Sequence, residues 1–181
     1  MPAYITGTIL AASYLPKKWI AYQVFFSLAI HLLLAIEIIF YPFPVRSDDT
    51  WFGWKDLASQ ITQLKKAYPK TFVFSADGYK TAAELNLLMK GFTYSQNIIG
   101  ENALQFDYVH ADLSVLRGSD ALFIDSDPQF KNEEKSNQIN EILFHYFRSV
   151  KELQPIIIRK NGKAVRKFLV YYCSSYGITN L

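Results

Sequence analysis

The sequence predicts an α/β chain: an N-terminal transmembrane helical hairpin followed by an extracytoplasmic, layered α/β domain with a mixed sheet. Three observations predict it. Between Tyr4 and Val45 the only charged residues are Lys17, Lys18 and Glu37, whereas from Arg46 onward charges recur every few residues. Beyond that step, runs with apolar residues at helical spacing alternate with short continuous apolar runs of strand type. Near the end, Asn161-Gly162 separates two β-rich runs, the signature of a two-residue hairpin turn. The composition step divides the chain into a transmembrane segment, 1–45, and a domain, 46–181. Of the 181 residues, 50% are hydrophobic and 16% aromatic, which fits one folded domain with an appendage and not a disordered chain. The net charge of +3 comes without a Lys/Arg block, so no nucleic-acid partner is expected.

The first element is a full helix over 19–41, WIAYQVFFSLAIHLLLAIEIIFY. Its length of about 34 Å is enough to cross a hydrocarbon core of about 30 Å. Trp19, Tyr22 and Tyr41 sit near its ends, where amphipathic rings favour the membrane interface, and Pro42 and Pro44 stop it. A secretory signal would end in a small-residue cleavage site, whereas this run ends in FYPFPV. The preceding run, 4–15, is apolar but too short to span, and reads as a partial helix, the tail of an earlier membrane helix. Pro16, Lys17 and Lys18 are expected to form a tight basic turn between the two. Such turns stay cytoplasmic, which would put the chain after Tyr41 outside the cytoplasm.

Four polar residues interrupt the spanning helix. With Gln23 set at 0°, Ser27 falls at about +40°, His31 at about +80° and Glu37 at about −40°, an arc of about 120°. Polar groups at membrane depth face protein or water, not lipid. Gln23, Ser27, His31 and Glu37 are therefore read as a helix-packing face. Interhelical hydrogen bonding is the simpler role for it, and a lipid-phosphate or proton path the alternative.

In the domain, Asp48, Asp49 and Thr50 are cap candidates for a helix in which Trp54, Leu57, Ile61 and Leu64 recur at helical spacing, closed by Pro69. Thr71–Phe74 is a short buried strand. SADGY (75–79) is a turn, and Lys80–Gly91 a helix ending at its glycine. A long connection leads to a second buried strand, Ala121–Asp127. Leu143–Phe147, LFHYF, looks like an alternating strand that carries His145 as a surface or satisfied histidine. Residues 154–175 form the hairpin, whose antiparallel strands close the sheet.

Chemical motifs are sparse. There is no GxGxxG and no GxxxxGK[ST], so the strand-to-helix turn at 75–82 is not a phosphate cradle of either kind. His31, His110, His145 and Cys173 lack metal-ligand spacing, and no metal or cofactor is expected in this chain. Cys173 reads as a small buried strand residue. Asp77, Tyr79, Lys80 and Glu84 stand where a strand hands over to a helix, the edge at which open α/β sheets bind ligands. Asn102, Gln105, Asp107 and Tyr108 crowd polar and aromatic groups into the long connection. Turn chemistry and loop packing are the structural alternatives for these two groups.

Several stretches carry a family likeness: the initial MPAYITGTILAASYLPKKW, then WFGWKDLASQI, FVFSADGYKTAAELNLLMKG, NALQFDYVHADLSVLRGSDALFI and LVYYCSSYG. Together they resemble the last membrane helices and periplasmic C-terminal domain of bacterial family 39-like (GT-C) membrane glycosyltransferases. These enzymes are relatives of the protein mannosyltransferases and of the aminoarabinose transferase that modifies lipid A. The resemblance implies a many-helix membrane protein that moves a sugar from a polyprenyl-phosphate carrier to an extracytoplasmic acceptor, whether glycan, lipid or protein. The family's catalytic carboxylate sits in an early extracytoplasmic loop that has no counterpart here, so no catalytic residue carries over. The expected partners are the lipid bilayer and upstream transmembrane helices of the same or a companion chain. Asp77, Tyr79, Gln105, Asp107 and Tyr108 are the candidate substrate contacts. The other reading is a non-enzymatic, membrane-anchored binding or assembly module.

Overall fold

The computed structural model describes residues 7–9, 11, 14, 16–43, 51–128, 130 and 132–177. Contacts group the chain into two compact units, Met1–Phe43 and Pro44–Leu181.

The first unit contains one long apolar helix, α1 (Lys17–Phe40), with the length and composition to cross a membrane. It starts two residues earlier than the sequence suggests. Lys17 and Lys18 lie in its first turn and do not form a separate basic turn, because Pro16, with its φ fixed at −57°, accepts the Trp19 amide and launches the helix directly. The helix ends at Tyr41, which is left-handed (φ 45°) and donates its amide to the Glu37 carbonyl. Apart from Ala29, Ala35 and Glu37, every α1 residue is exposed. The expected partial helix at 4–15 falls largely outside the described residues, and the positions described within it are helical.

In the second unit, α2 (Trp54–Ala67) follows the predicted apolar spacing and buries Trp54, Leu57, Ala58 and Ile61. The cap candidates Asp48, Asp49 and Thr50 lie outside the described residues, and Gly53, left-handed at φ 89°, is the N-cap. A side chain there would strike Ile158, whose Cγ2 lies 2.6 Å from the position of a Cβ. Then come β1 (Phe72–Phe74), α3 (Lys80–Leu88), β2 (Thr93–Tyr94), three short 3-10 turns (Gln96–Ile99, Leu104–Asp107, Leu113–Leu116) and β3 (Ala121–Ser126). The chain finishes with α4 (Asn132–Phe144), β4 (Phe147–Glu152), β5 (Ile156–Lys160) and β6 (Lys163–Tyr176).

These strands form one open mixed sheet in the order β2-β1-β3-β6-β4, with β5 also paired to β6. β1 is parallel to β2 and β3, while β6 is antiparallel to β3, β4 and β5. Strand residues alternate between faces. Val73, Leu122, Ile124 and Val170 pack with Leu57 and Ile61 of α2 and Leu85 of α3. Phe72, Phe74, Phe123 and Tyr171 pack with Ile139 and Leu143 of α4 and with Ile98 and Leu116 of the 3-10 turns. A sheet covered on both faces explains why ALFI reads as a continuous apolar run.

The hairpin turn has the predicted geometry, with Asn161 at φ 49° and Gly162 at φ 78°. Three expectations are corrected. LFHYF is not a strand: Leu143 and Phe144 end α4, His145 and Tyr146 turn, and Phe147 opens β4. Ile139 and Leu143 keep the helical period by burying one turn apart, and the His145 and Tyr146 amides close the helix on Ile142 and Leu143. Second, α3 stops at Leu88, because Met89 is extended, and Gly91 lies in the loop beyond at φ 103°. Third, the long connection is not irregular chain but the three 3-10 turns.

Candidate functional site

The chain leaves β1 through α3 to reach β2 on one side, then returns through the 3-10 turns to β3 on the other. α3 packs on one face of the sheet through Leu85, and the first and third 3-10 turns on the opposite face through Ile98, Ile99 and Leu116. Between β1 and β3 the order therefore reverses, and open α/β sheets bind ligands outside the carboxyl ends at such a point. The segments at that edge are the turn after β1 (75–80), the turn after β2 (95–96) and the end of β3 (125–127).

The turn after β1 is fixed by its own polar groups. Asp77 accepts the Thr81 amide at 3.2 Å on Oδ1 and the Thr81 hydroxyl on Oδ2, and Ser75 Oγ donates to Oδ1 at 3.3 Å. Its carboxylate is thus taken up in starting α3. Gly78, at φ 78°, donates its amide to Gln96 Oε1 at 3.0 Å, and its carbonyl accepts from the buried Ser95 hydroxyl. Tyr79 stands exposed at the helix start without a side-chain capping bond.

Gln96 extends this network, since its Nε2 donates to the Asn102 carbonyl. From there, Asn102 Oδ1 accepts the Leu104 amide and Asp107 Oδ2 accepts the Ala103 amide at 2.9 Å. Asn97 Nδ2 holds the Phe106 carbonyl, and the Phe106 ring is buried with Ala82 and Ala103. The two candidate groups predicted from sequence thus belong to one hydrogen-bonded unit hung on Gln96. Within it, Asp77 and Asp107 hold backbone, whereas Tyr79, Gln105 and Tyr108 face outward. Gln105 also lines an open, largely apolar groove of about 450 Å³ between α3 and the second 3-10 turn, beside Ala83, Met89, Phe92, Phe106 and Val109.

At the end of β3, Asp125 and Asp127 project to the same face, as alternate strand residues do, and both are buried. Lys167 of β6 is buried opposite and reaches Asp127 Oδ2 at 3.4 Å, while the Asp127 amide donates to the Lys167 carbonyl. The Asp-x-Asp spacing at the end of an apolar run was the available sequence signal. The lysine partner, forty positions on, gave none.

The remaining titratable groups point to structure more than to chemistry. Burial pushes the Cys173 thiol up, away from the reactive thiolate. Burial also raises Tyr94 and Tyr176. The His110 ring packs 4.2 Å from Phe92, and His145 is exposed in its turn. Among the described residues, no three carboxylate, imidazole or thiol side chains converge as a metal site would need.

Compared with protein-family models, with curated proteins and with solved structures, the chain matches none.

In the first unit, the polar face of α1 is partly satisfied within the helix. His31 Nδ1 donates to the Ser27 carbonyl at 2.6 Å, the preceding-turn bond that polar side chains use in apolar helices. Gln23, Ser27 and His31 remain exposed, and Glu37 is half-buried.

Proposed function

We propose that the chain is the last membrane helix and extracytoplasmic domain of a polyprenyl-phosphate-sugar-dependent glycosyltransferase, in which the domain holds the acceptor beside a catalytic site built by other membrane helices. The observation that carries this reading is α1, a helix long and apolar enough to span, with one polar stripe of Gln23, Ser27, His31 and Glu37. Such a stripe is suited to other helices or to a lipid phosphate and ill suited to hydrocarbon. The resemblance of residues 72–91 and 102–124 to the family 39-like periplasmic domain supplies the reaction class. Tyr79, Gln105 and Tyr108 are the groups left facing outward for a polyhydroxylated acceptor. A stacking ring and an amide are suited to sugar hydroxyls and CH faces. Asp77 and Asp107 support them through the turns they hold.

The test is a transfer assay in membrane vesicles. The chain is expressed joined to the coding frame that precedes it in the genome, and labelled polyprenyl-phosphate sugars are supplied. Gln105→Ala with Tyr108→Ala is expected to lower transfer about tenfold at unchanged membrane level, about 1.4 kcal/mol of lost transition-state stabilisation. Unchanged transfer removes both residues from the site. Absence of transfer by the parent with every carrier sugar supplied sinks the enzyme reading. It leaves the anchored binding or assembly module as the reading of the chain.

A further inference from the structure

We propose that β4 is an interface strand, on which a second copy of this chain pairs antiparallel about a twofold axis through Val150. The pairing uses the sheet alone and is independent of how α1 is read. The sheet ends at β2 on one side and at β4 on the other. The β2 edge is closed by a side chain, since Asn86 takes both the amide and the carbonyl of Thr93. Among the described strands, β4 pairs with β6 alone. Arg148, Ser149, Lys151 and Glu152 are exposed there and Val150 is half-buried, whereas every residue of β3 is buried. Alternate residues of a strand turn their N–H and C=O groups to opposite sides, so β4 directs a row of them away from β6, a template for a further strand.

The charges select a second copy as the occupant. An edge strand that carries one sign of charge repels its own kind. β4 instead reads Arg148-Ser149-Val150-Lys151-Glu152, with Arg148 and Glu152 placed equally on either side of Val150. In an antiparallel pair centred on Val150, Arg148 lies directly opposite Glu152 of the second copy, and the twofold axis makes that pair of opposite charges twice. Ser149 then lies opposite Lys151, and Val150 meets itself. Slipping one residue one way sets Arg148 against Lys151, a like-charge contact that the symmetry also doubles. Slipping one residue the other way sets Arg148 against Leu153, away from its carboxylate. Of these three registers, only the one centred on Val150 pairs Arg148 with an opposite charge.

The experiment is oxidative cross-linking of the full chain in detergent. Cys173 is the β6 partner of Val150, so a Cys173→Ala background prevents a disulfide within one chain. Residues directly opposite in an antiparallel pair are about 4.5–5.5 Å apart at Cα, within disulfide reach. Val150→Cys is therefore expected to give at least about threefold more disulfide-linked dimer than Lys163→Cys at the exposed hairpin turn. Ser149→Cys and Lys151→Cys should each link poorly alone, being about 7–8 Å or more from their own copies, and well when the two variants are mixed. Adding Arg148→Glu to Val150→Cys should lower linking at least about threefold, because two opposite-charge pairs become two like-charge pairs. Adding Glu152→Arg as well should restore it, with circular dichroism unchanged throughout. Linking at 150 no greater than at 163 overturns the proposal, even where light scattering finds a dimer, which then associates through another surface. Self-linking of Ser149→Cys equal to that of Val150→Cys, unchanged linking with Arg148→Glu, or failure of the charge swap to restore it also overturns it.

Discussion

The guanidinium of Arg166 lies over the indole of Trp54, its central carbon 3.8 Å from the ring centroid. The Phe168 ring sits 4.8 Å away, and Nη1 donates to the Phe52 carbonyl at 3.3 Å. A buried arginine on β6 thus pins the strand to the first turn of α2. Arg166→Ala is expected to destabilise the domain by about 2–4 kcal/mol, from lost cation–π contact, packing and the hydrogen bond. Arg166→Lys should recover less than half of that, because an ammonium has no planar face to stack. Urea unfolding of the detergent-solubilised chain, followed by tryptophan fluorescence, measures both. A lysine variant as stable as the parent would show that stacking contributes nothing.

Asn86 acts as a surrogate strand for the edge of β2. Its Nδ2 donates to the Thr93 carbonyl at 2.8 Å, and its Oδ1 accepts the Thr93 amide at 2.7 Å. Asn86→Asp keeps only the acceptor and is expected to lower stability by about 1 kcal/mol. Asn86→Leu loses both bonds and should lower it by about 2–3 kcal/mol. Hydrogen exchange at the Thr93 amide is the direct reading, and unchanged protection in the leucine variant would contradict it.

The buried pair Asp127–Lys167 predicts a non-additive mutant cycle. Lys167→Met leaves a carboxylate in the interior without its cation and should destabilise by about 3–5 kcal/mol. Asp127→Leu combined with Lys167→Met should lie within about 2 kcal/mol of the parent. A double variant as unstable as the sum of the singles would mean that the two charges do not interact.

Tyr172 donates to Asp120 Oδ2 at 2.5 Å, and Asp120 Oδ1 accepts the Ser175 amide at 3.0 Å. The hydrogen bond to Asp120, helped by burial and the carboxylate charge, pushes the Tyr172 phenol up from 10.0 to about 12. A phenol whose folded value lies above its unfolded one stabilises the protein fully below pH 10, and that contribution is lost as pH rises toward about 12. Absorbance titration should find one tyrosine ionising late, and Asp120→Asn should bring it back toward 10. An unchanged titration in that variant would assign the shift to burial instead.

What the sequence revealed and what it concealed divide along physical lines. The Asn161-Gly162 turn was legible because few residue pairs accept two positive φ angles. The helix at Trp54–Ala67 and the strand at Ala121–Ser126 were legible because one repeats at helical spacing and the other is unbroken apolar chain. LFHYF misled because its aromatic composition favours a strand, while Leu143 belongs to the helix that buries Ile139. Arg166 was hidden by a register shift at Ile158/Arg159, where the β5–β6 partners step from Ile158↔Arg166 to Arg159↔Ala164 and break the alternation of KAVRKF. At the candidate site, the outward Tyr79, Gln105 and Tyr108 were visible as residue types. Asp77 and Asp107 were visible too, but a carboxylate that caps a turn and one that meets a ligand are the same letter.

The role of β6 bears on how the domain comes into being. Its residues 168–173 pair with β3, 171–176 with β4 and 163–168 with β5. Among the described strands it is the last to be synthesised, so these pairings cannot all form until the chain has emerged through Tyr176. Until then β3, with its unbroken ALFI run, is an unguarded template for another chain. Nascent domain therefore depends on protection over the interval between making Ala121 and making Tyr176, and stalling within it exposes an aggregation-prone edge.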